Sequence, residues 1–191
     1  MPPASNKRAT ELWLVALLCA LPVIASYLAF YLWPPQRQTN YGELLEPRAL
    51  ADMALQRTDG APFRMAELKG KWIMLSIDSG ACDAYCKDKL WKLRQVRLAQ
   101  GKDRERIERV WVIDDAAAPA ADLTVEYQGT RLVGARRDDA FVRQFPAQHD
   151  AHDHIYLIDP LGNLMLRYPR DADAMRIIKD LSRLLKVSTV G

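Results

Sequence analysis

Cysteine and histidine are both scarce in this 191-residue chain, three of each. With only one cysteine pair close in sequence, Cys82 and Cys86, and Cys19 far away, there is no second pair to build a structural zinc site. The chain also lacks a surplus of charge: Lys and Arg number 27 against 24 Asp and Glu. Its densest charged run, KDRERIER at residues 102–109, alternates in sign and reads as a solvated helix or turn, so nucleic acid is not an implied partner. Internal repeats and low-complexity tracts are missing. The longest absence is of charge itself, from residue 12 to residue 33.

That stretch, LWLVALLCALPVIASYLAFYLW, is long enough as a helix to cross a hydrocarbon core of about 30 Å. Pro22 near its middle is tolerated in a membrane helix, and Trp13, Tyr27, Tyr31 and Trp33 suit the interfaces. Trp33-Pro34-Pro35 follows where a small-residue cleavage site would stand, so the segment reads as an anchor and not as a removed signal peptide. Lys7 and Arg8 precede it against Glu11, and the next charge after it is Arg37. This bias predicts a cytoplasmic N-terminus, residues 1–11, with the remainder outside. In a bacterium with two membranes the anchor would lie in the inner membrane and the soluble domain in the periplasm, where cysteine pairs form disulfides.

Residues 34–50 read as a linker and juxtamembrane segment, since Pro34, Pro35, Gly42 and Pro47 argue against a continuous helix. Residues 51–191 have the length of one domain. Trp72-Ile73-Met74-Leu75-Ser76-Ile77 is apolar at nearly every position, as expected of a central strand covered on both faces. Helical spacing of Leu90, Leu93, Val96 and Leu98 follows, with Lys87, Lys89, Lys92, Arg94 and Arg97 on a solvated face and Gly101 as the stop. Trp91 and Trp111 read as core. Val110-Trp111-Val112-Ile113 is a second buried strand, Asp114 onward, with its alanines and Pro119, an irregular loop stretch through Val125, Leu132-Val133-Gly134 a short third strand, and residues 138–145 a helix ended by Pro146. Two strands, Ile155-Tyr156-Leu157-Ile158 and Leu164-Met165-Leu166-Arg167-Tyr168, flank the turn Asp159-Pro160-Leu161-Gly162-Asn163. Met175, Ile178, Leu181, Leu184 and Leu185 mark a closing helix over residues 171–186. The pattern is α/β, in the order of a thioredoxin-like domain with a mixed central sheet flanked by helices.

Cys82-Asp83-Ala84-Tyr85-Cys86 falls where the first strand gives way to a helix. A helix N-terminus carries partial positive charge and favours thiolate over thiol, and Asp83 suits a cap. Residues four apart on a helix share a face, so two thiolates there can converge on one ion. Copper(I) is soft and prefers thiolate, and an imidazole from a distant loop could complete a three-coordinate site. Thiol–disulfide exchange and a structural or vestigial pair remain open beside metal binding. A bridge over so short a loop restricts the unfolded chain little. Against pure exchange, Gly80-Ala81 precede Cys82 where thioredoxin-type enzymes have tryptophan, the spacing is one residue longer, and His154-Ile155 replaces their proline. His149, His152 and His154 all fall within six residues, in a loop that should open beside the cysteines.

The anchor, the Asp59-Gly60 turn before Phe63, Leu68-Lys69-Gly70-Lys71-Trp72, the C-x-x-x-C after the strand, and a histidine ahead of Ile155-Tyr156-Leu157-Ile158-Asp159-Pro160-Leu161-Gly162 together resemble the Sco/SenC family. The resemblance spans most of residues 58–186. It implies a membrane-anchored thioredoxin fold that binds copper through Cys82, Cys86 and one later histidine and assists cytochrome c oxidase assembly, with an oxidase subunit or another copper or thiol protein as partner. His154, in the dipeptide Asp153-His154, is the matching histidine, with His152 as the alternative. Asp83 and Lys87 stand where the family has prolines. The resemblance thus implies a metallochaperone or assembly factor. The other readings are a membrane-tethered thiol–disulfide reductase, with Cys82 attacking and Cys86 resolving, and a non-catalytic assembly module that has lost its metal.

Overall fold

The computed structural model describes residues 6–32 and 40–188. The chain divides into two units, residues 1–39 and residues 40–191. In the first, helix α1 (Asn6–Leu32) carries Pro22 inside it. Its segment Glu11–Ala29, of mean hydropathy 2.3, is long and apolar enough to cross a membrane. Trp33, the last residue expected in the span, and linker residues 34–39 lie outside the described residues.

The second unit is built on an eight-stranded mixed sheet, ordered β1-β8-β7-β4-β5-β6-β2-β3. Its centre is parallel: β4 (Trp72–Asp78) pairs with β5 (Ile107–Ile113), and β5 with β6 (Thr130–Gly134). β7 (Ile155–Ile158) runs antiparallel to β4 and forms a hairpin with β8 (Asn163–Tyr168). β2 (Leu55–Arg57) and β3 (Pro62–Phe63) close the far edge. Every residue of β4 is buried, as its unbroken apolar run requires of a strand covered on both faces.

Alternation along the strands sorts their side chains into two cores. Helices α2 (Ala84–Ala99) and α4 (Ala174–Val187) cover one face, where Met74, Trp111, Leu157 and Leu166 meet Leu90, Leu93, Ile177 and Leu181. On the other face Leu75, Val112 and Tyr156 pack on Phe63, Phe141 and Phe145. Leu90, Leu93 and Val96 are each 1 % exposed, and burying such side chains stabilises the domain by roughly 1.5–3 kcal/mol apiece.

Four local expectations are corrected. Residues 43–49, placed in a linker by sequence, form the edge strand β1 (Glu43–Ala49) against β8. Pro47 fits because the register shifts between Leu44 and Arg48, and an edge strand has few ladder donors to lose. Arg167 donates to both carboxylate oxygens of Glu43, at 2.9 and 3.0 Å. The helix expected over residues 138–145 is only a 3-10 turn, Val142–Gln144; Asp139 caps the Phe141 amide at 2.8 Å, and Phe141 and Phe145 are drawn into the core. A short helix, α3 (Ala121–Glu126), occupies a stretch read as irregular. Trp91 lies on the outside of α2, 45 % exposed, whereas Trp111 is core as expected.

Candidate functional site

The chain leaves β4 at Asp78 and turns through Ser79, whose carbonyl accepts from the Cys82 amide at 3.1 Å. Cys82 has φ +43, the left-handed region that a non-glycine residue rarely enters and that costs of order 1 kcal/mol or more. Asp83 is the N-cap of α2, its Oδ1 accepting from the Cys86 amide at 2.8 Å, as its position beside the first cysteine predicts. The left-handed turn swings Cys82 back over this cap. Cys82 and Cys86 are joined in a disulfide with Cα atoms 5.1 Å apart. Both are buried, at 2 % and 1 % exposure, within the core that α2 covers. Cys82 therefore lies outside the helix and Cys86 in its first turn, so the pair straddles the cap instead of sharing a regular helical face.

Beneath α2 lies a group that sequence reasoning missed. Lys89, expected on the solvated face, is 1 % exposed, and its Nζ is 2.8 Å from Oδ2 of the buried Asp78. It also donates to the carbonyls of Ile77, at 3.3 Å, and of His152. Burial pushes the Asp78 carboxyl up to about 6 in spite of the opposing pull of Lys89. Burial likewise lowers the Lys89 ammonium, opposed chiefly by Asp78. A signal was present: Lys89 sits three residues after Cys86 and seven before Val96, inside the apolar stripe.

The loop after β5 closes over the cysteine turn. Asp115 accepts from the Gly80 amide at 3.0 Å, from the Ser79 hydroxyl and from the Ala117 amide at 3.1 Å. The Ser79 bond first, then that of Gly80, holds the Asp115 carboxyl below its usual range. Gly80 is required here, because a β-carbon would overlap the carbonyl oxygen of Ala117. Nothing in the sequence pattern marks this contact, 37 residues apart.

The histidines separate into three environments. His149 is exposed. His152 Nε2 lies 2.8 Å from Oδ2 of the buried Asp114, at the end of β5, while its carbonyl is held by Lys89. Arg137 joins the same cluster, 3.8 Å from Asp114 and paired with Asp150. His154, 9 % exposed, bonds through Nδ1 to the carbonyl of Tyr168 at 2.9 Å. A carbonyl only accepts, so Nδ1 carries a proton, which in the neutral ring leaves the lone pair on Nε2. The His154 ring packs edge-on against Tyr156, a residue of the core opposite the cysteines. Tyr85 ties the first turn of α2 to this loop by donating to the Asp153 carbonyl at 3.0 Å.

The structure thus brings the two cysteines together without a histidine joined to them. Among the described residues, no group of three or more His, Cys, Asp or Glu side chains is arranged to hold a metal ion. The donor set expected for copper does not fit in the disulfide form, because each sulfur is bonded to the other. What the arrangement holds ready is a two-electron thiol–disulfide couple at a helix start.

Residues 72–188 match the family model described as a transmembrane-like, thioredoxin-like, C-terminal domain. No curated protein matches the chain in sequence. Among solved structures, it is similar to yeast Sco1 with copper bound, 19 % identical with a TM-score of 0.63 over 76 % of this chain and 97 % of that one. It is similar to Arabidopsis thaliana ScoI with copper bound, 16 % identical with a TM-score of 0.61 over 74 % of this chain and 100 % of that one. The thioredoxin domain of a thiol-disulfide oxidoreductase from Bacteroides vulgatus, 14 % identical, gives a TM-score of 0.55 over 75 % of this chain and 99 % of that one. At these identities the likeness is one of fold, and at that level the resemblance to Sco/SenC proteins holds.

Proposed function

We propose, for a chain that belongs to the transmembrane-like, thioredoxin-like C-terminal domain family, that Cys82 and Cys86 are a redox pair exchanging disulfides with protein thiols. The observation that carries this reading is the disulfide straddling the N-cap of α2. In the reducing direction, the Cys82 thiolate attacks one sulfur of a partner disulfide, forming a mixed disulfide and releasing the first partner thiolate. Cys86 then loses its proton and attacks Cys82, which expels the second partner thiolate and closes the Cys82–Cys86 bond. Two electrons pass to the partner, and its thiolates take up two protons. A thiol reductant of the same compartment resets the pair. The positive end of α2 stabilises the thiolates that form and leave.

Copper(I) as cargo of the reduced pair is the second reading, favoured by the fold shared with Sco structures that hold copper. Reduction would free two soft donors, with His154 the third through Nε2, or His152 from the cysteine end of the sheet. The target in that reading is a cytochrome oxidase subunit. Either activity is proposed for a domain held outside the cytoplasmic face of a bacterial inner membrane by α1, its N-terminus inside as Lys7 and Arg8 favour.

Insulin reduction and copper stoichiometry of the reduced full chain in detergent distinguish the two. Insulin turnover that is lost in Cys82→Ser supports exchange. An inert parent that holds one copper per chain, lost in Cys82→Ser and Cys86→Ser, supports the cargo reading, and His154→Ala against His152→Ala then identifies the third donor. Neither activity in the parent sinks both.

A further inference from the structure

A cavity of about 580 Å³ opens at the end of the sheet away from the cysteines. Four arginines line it: Arg57 at the end of β2, Arg97 of α2, Arg109 of β5 and Arg131 of β6. Asp59 and Glu108 line it too, but both are engaged. Arg57 pairs with Asp59 at 2.6 Å and Arg131 with Glu108 at 3.3 Å, while Arg97 pairs with Glu105 at 3.3 Å and donates to the Ile107 carbonyl at 2.8 Å.

Arg109 is different. It is 4 % exposed, on a central strand in register with Met74 and Thr130. Its Nη2 donates to the Gln128 carbonyl at 2.8 Å, but Nε and Nη1 are buried without a partner. Among the described residues no carboxylate forms an ion pair with it, and Glu108 acts on it only at longer range. Burial, then the like charges of Arg97 and Arg94, push its guanidinium below the usual value, yet an arginine does not shed its proton in a protein. The fold makes room for it: Gly129, at φ +82, has no side chain where a β-carbon would lie 3.1 Å from Nη2. Two buried, unpaired donors on a charged guanidinium call for an acceptor, and the second Nη2 hydrogen completes a bidentate edge with Nε or with Nη1.

We propose that this cavity is a binding site for a small organic oxyanion, whose carboxylate or phosphate head is taken by Arg109 and whose remainder is bordered by Arg57, Arg97 and Arg131. The volume falls within the range of small-molecule pockets, about 300–1,000 Å³, and exceeds what a bare ion fills. The site is separate from the disulfide. Arg109 stands four residues, about 13 Å of strand, before Ile113, which pairs with Asp78 at the cysteine end. The proposal is independent of whether Cys82 and Cys86 exchange disulfides or carry copper.

The test is the Tm of the full chain in detergent, titrated with inorganic phosphate, phenyl phosphate and succinate, with chloride at matched ionic strength as the control. At least one oxyanion should raise the Tm saturably where chloride does not, and the phosphate and succinate arms identify the head group. Arg109→Met should lose the response, and Arg131→Gln should weaken the apparent affinity at least threefold. No oxyanion response in the parent, a response equal to that of chloride, or an unchanged response in Arg109→Met overturns the proposal. If Arg109→Met fails to fold, an unchanged affinity in both Arg131→Gln and Arg57→Gln overturns it instead.

Discussion

Lys89 Nζ lies 2.8 Å from Asp78 Oδ2, with both side chains almost fully buried beneath the helix that starts at the disulfide. This one ion pair joins α2 to β4, and through the His152 carbonyl it also holds the histidine loop. The region between the cysteines and the histidines is therefore organised by a buried lysine.

Removing one partner of such a pair leaves a buried charge uncompensated, at a cost of about 3–5 kcal/mol. Lys89→Met should destabilise the domain by that amount in chemical unfolding, and Asp78→Asn combined with Lys89→Met should recover most of the loss. A Lys89→Met cost below about 1 kcal/mol, additive with Asp78→Asn, would show that the pair contributes no coupling.

The same carboxylate sets a pH dependence. Asp78 rises from 3.8 to about 6 because of burial, with Lys89 and His152 pulling it back and Asp83 adding to the rise. Between these values the folded chain binds more protons than the unfolded one, so this group makes stability fall as pH rises from about 4 to about 6, with no further loss above. Asp115 acts in the opposite sense: its lowered carboxyl contributes stability above 3.8 that is lost as pH falls through its folded value. Comparing the Tm of parent and Asp78→Asn across pH 4–7 isolates the first effect. Parallel curves would remove Asp78 as its source.

Much of this architecture is legible in the residues. The unbroken apolar run of β4, the Asp-Pro-Leu-Gly-Asn turn between β7 and β8, the Asp83 cap and the presence of α4 each follow from local periodicity and turn chemistry, although in α4 Met175 of the expected stripe is exposed and Ile177 is buried instead. β1 is not legible, because an edge strand with Gly42 and Pro47 carries no alternation and is held by distant groups. Asp180 accepts from the Tyr41 and Gly42 amides at 2.6 and 3.0 Å, from 139 and 138 residues away. At the site, the cysteine pair announces itself by spacing. Lys89 announces itself only by its place in the apolar stripe and Arg109 not at all, because a long basic side chain in a mixed-charge stretch reads as solvated until its burial is seen.

The disulfide should contribute little to stability. Closing a loop of about five residues limits the unfolded chain by about 2 kcal/mol in the chain-entropy account, and the left-handed backbone at Cys82 works against part of that. Reduction, or Cys82→Ser, should therefore cost no more than about 2 kcal/mol in unfolding experiments and leave the far-UV circular dichroism unchanged. A domain that unfolds on reduction would make the pair a structural staple and remove the redox reading.

Access to the disulfide is the remaining requirement, since both cysteines are nearly fully buried in the closed form. The loop after β5 is pinned against the turn that leads into Cys82 by the Asp115 bonds to Ser79 and Gly80 and by the close fit of Gly80 under the Ala117 carbonyl. Gly80→Ala must displace this loop, because the overlapping atom is backbone and cannot swing aside. Asp115→Ala releases it without adding bulk. If the loop limits attack on the sulfurs, both variants should be reduced by dithiothreitol several-fold faster than the parent, followed by alkylation of Cys82 and Cys86 over time. Unchanged rates in both would mean that access lies elsewhere around the turn, whereas acceleration in Gly80→Ala alone would point to a distorted cysteine turn instead of an opened loop.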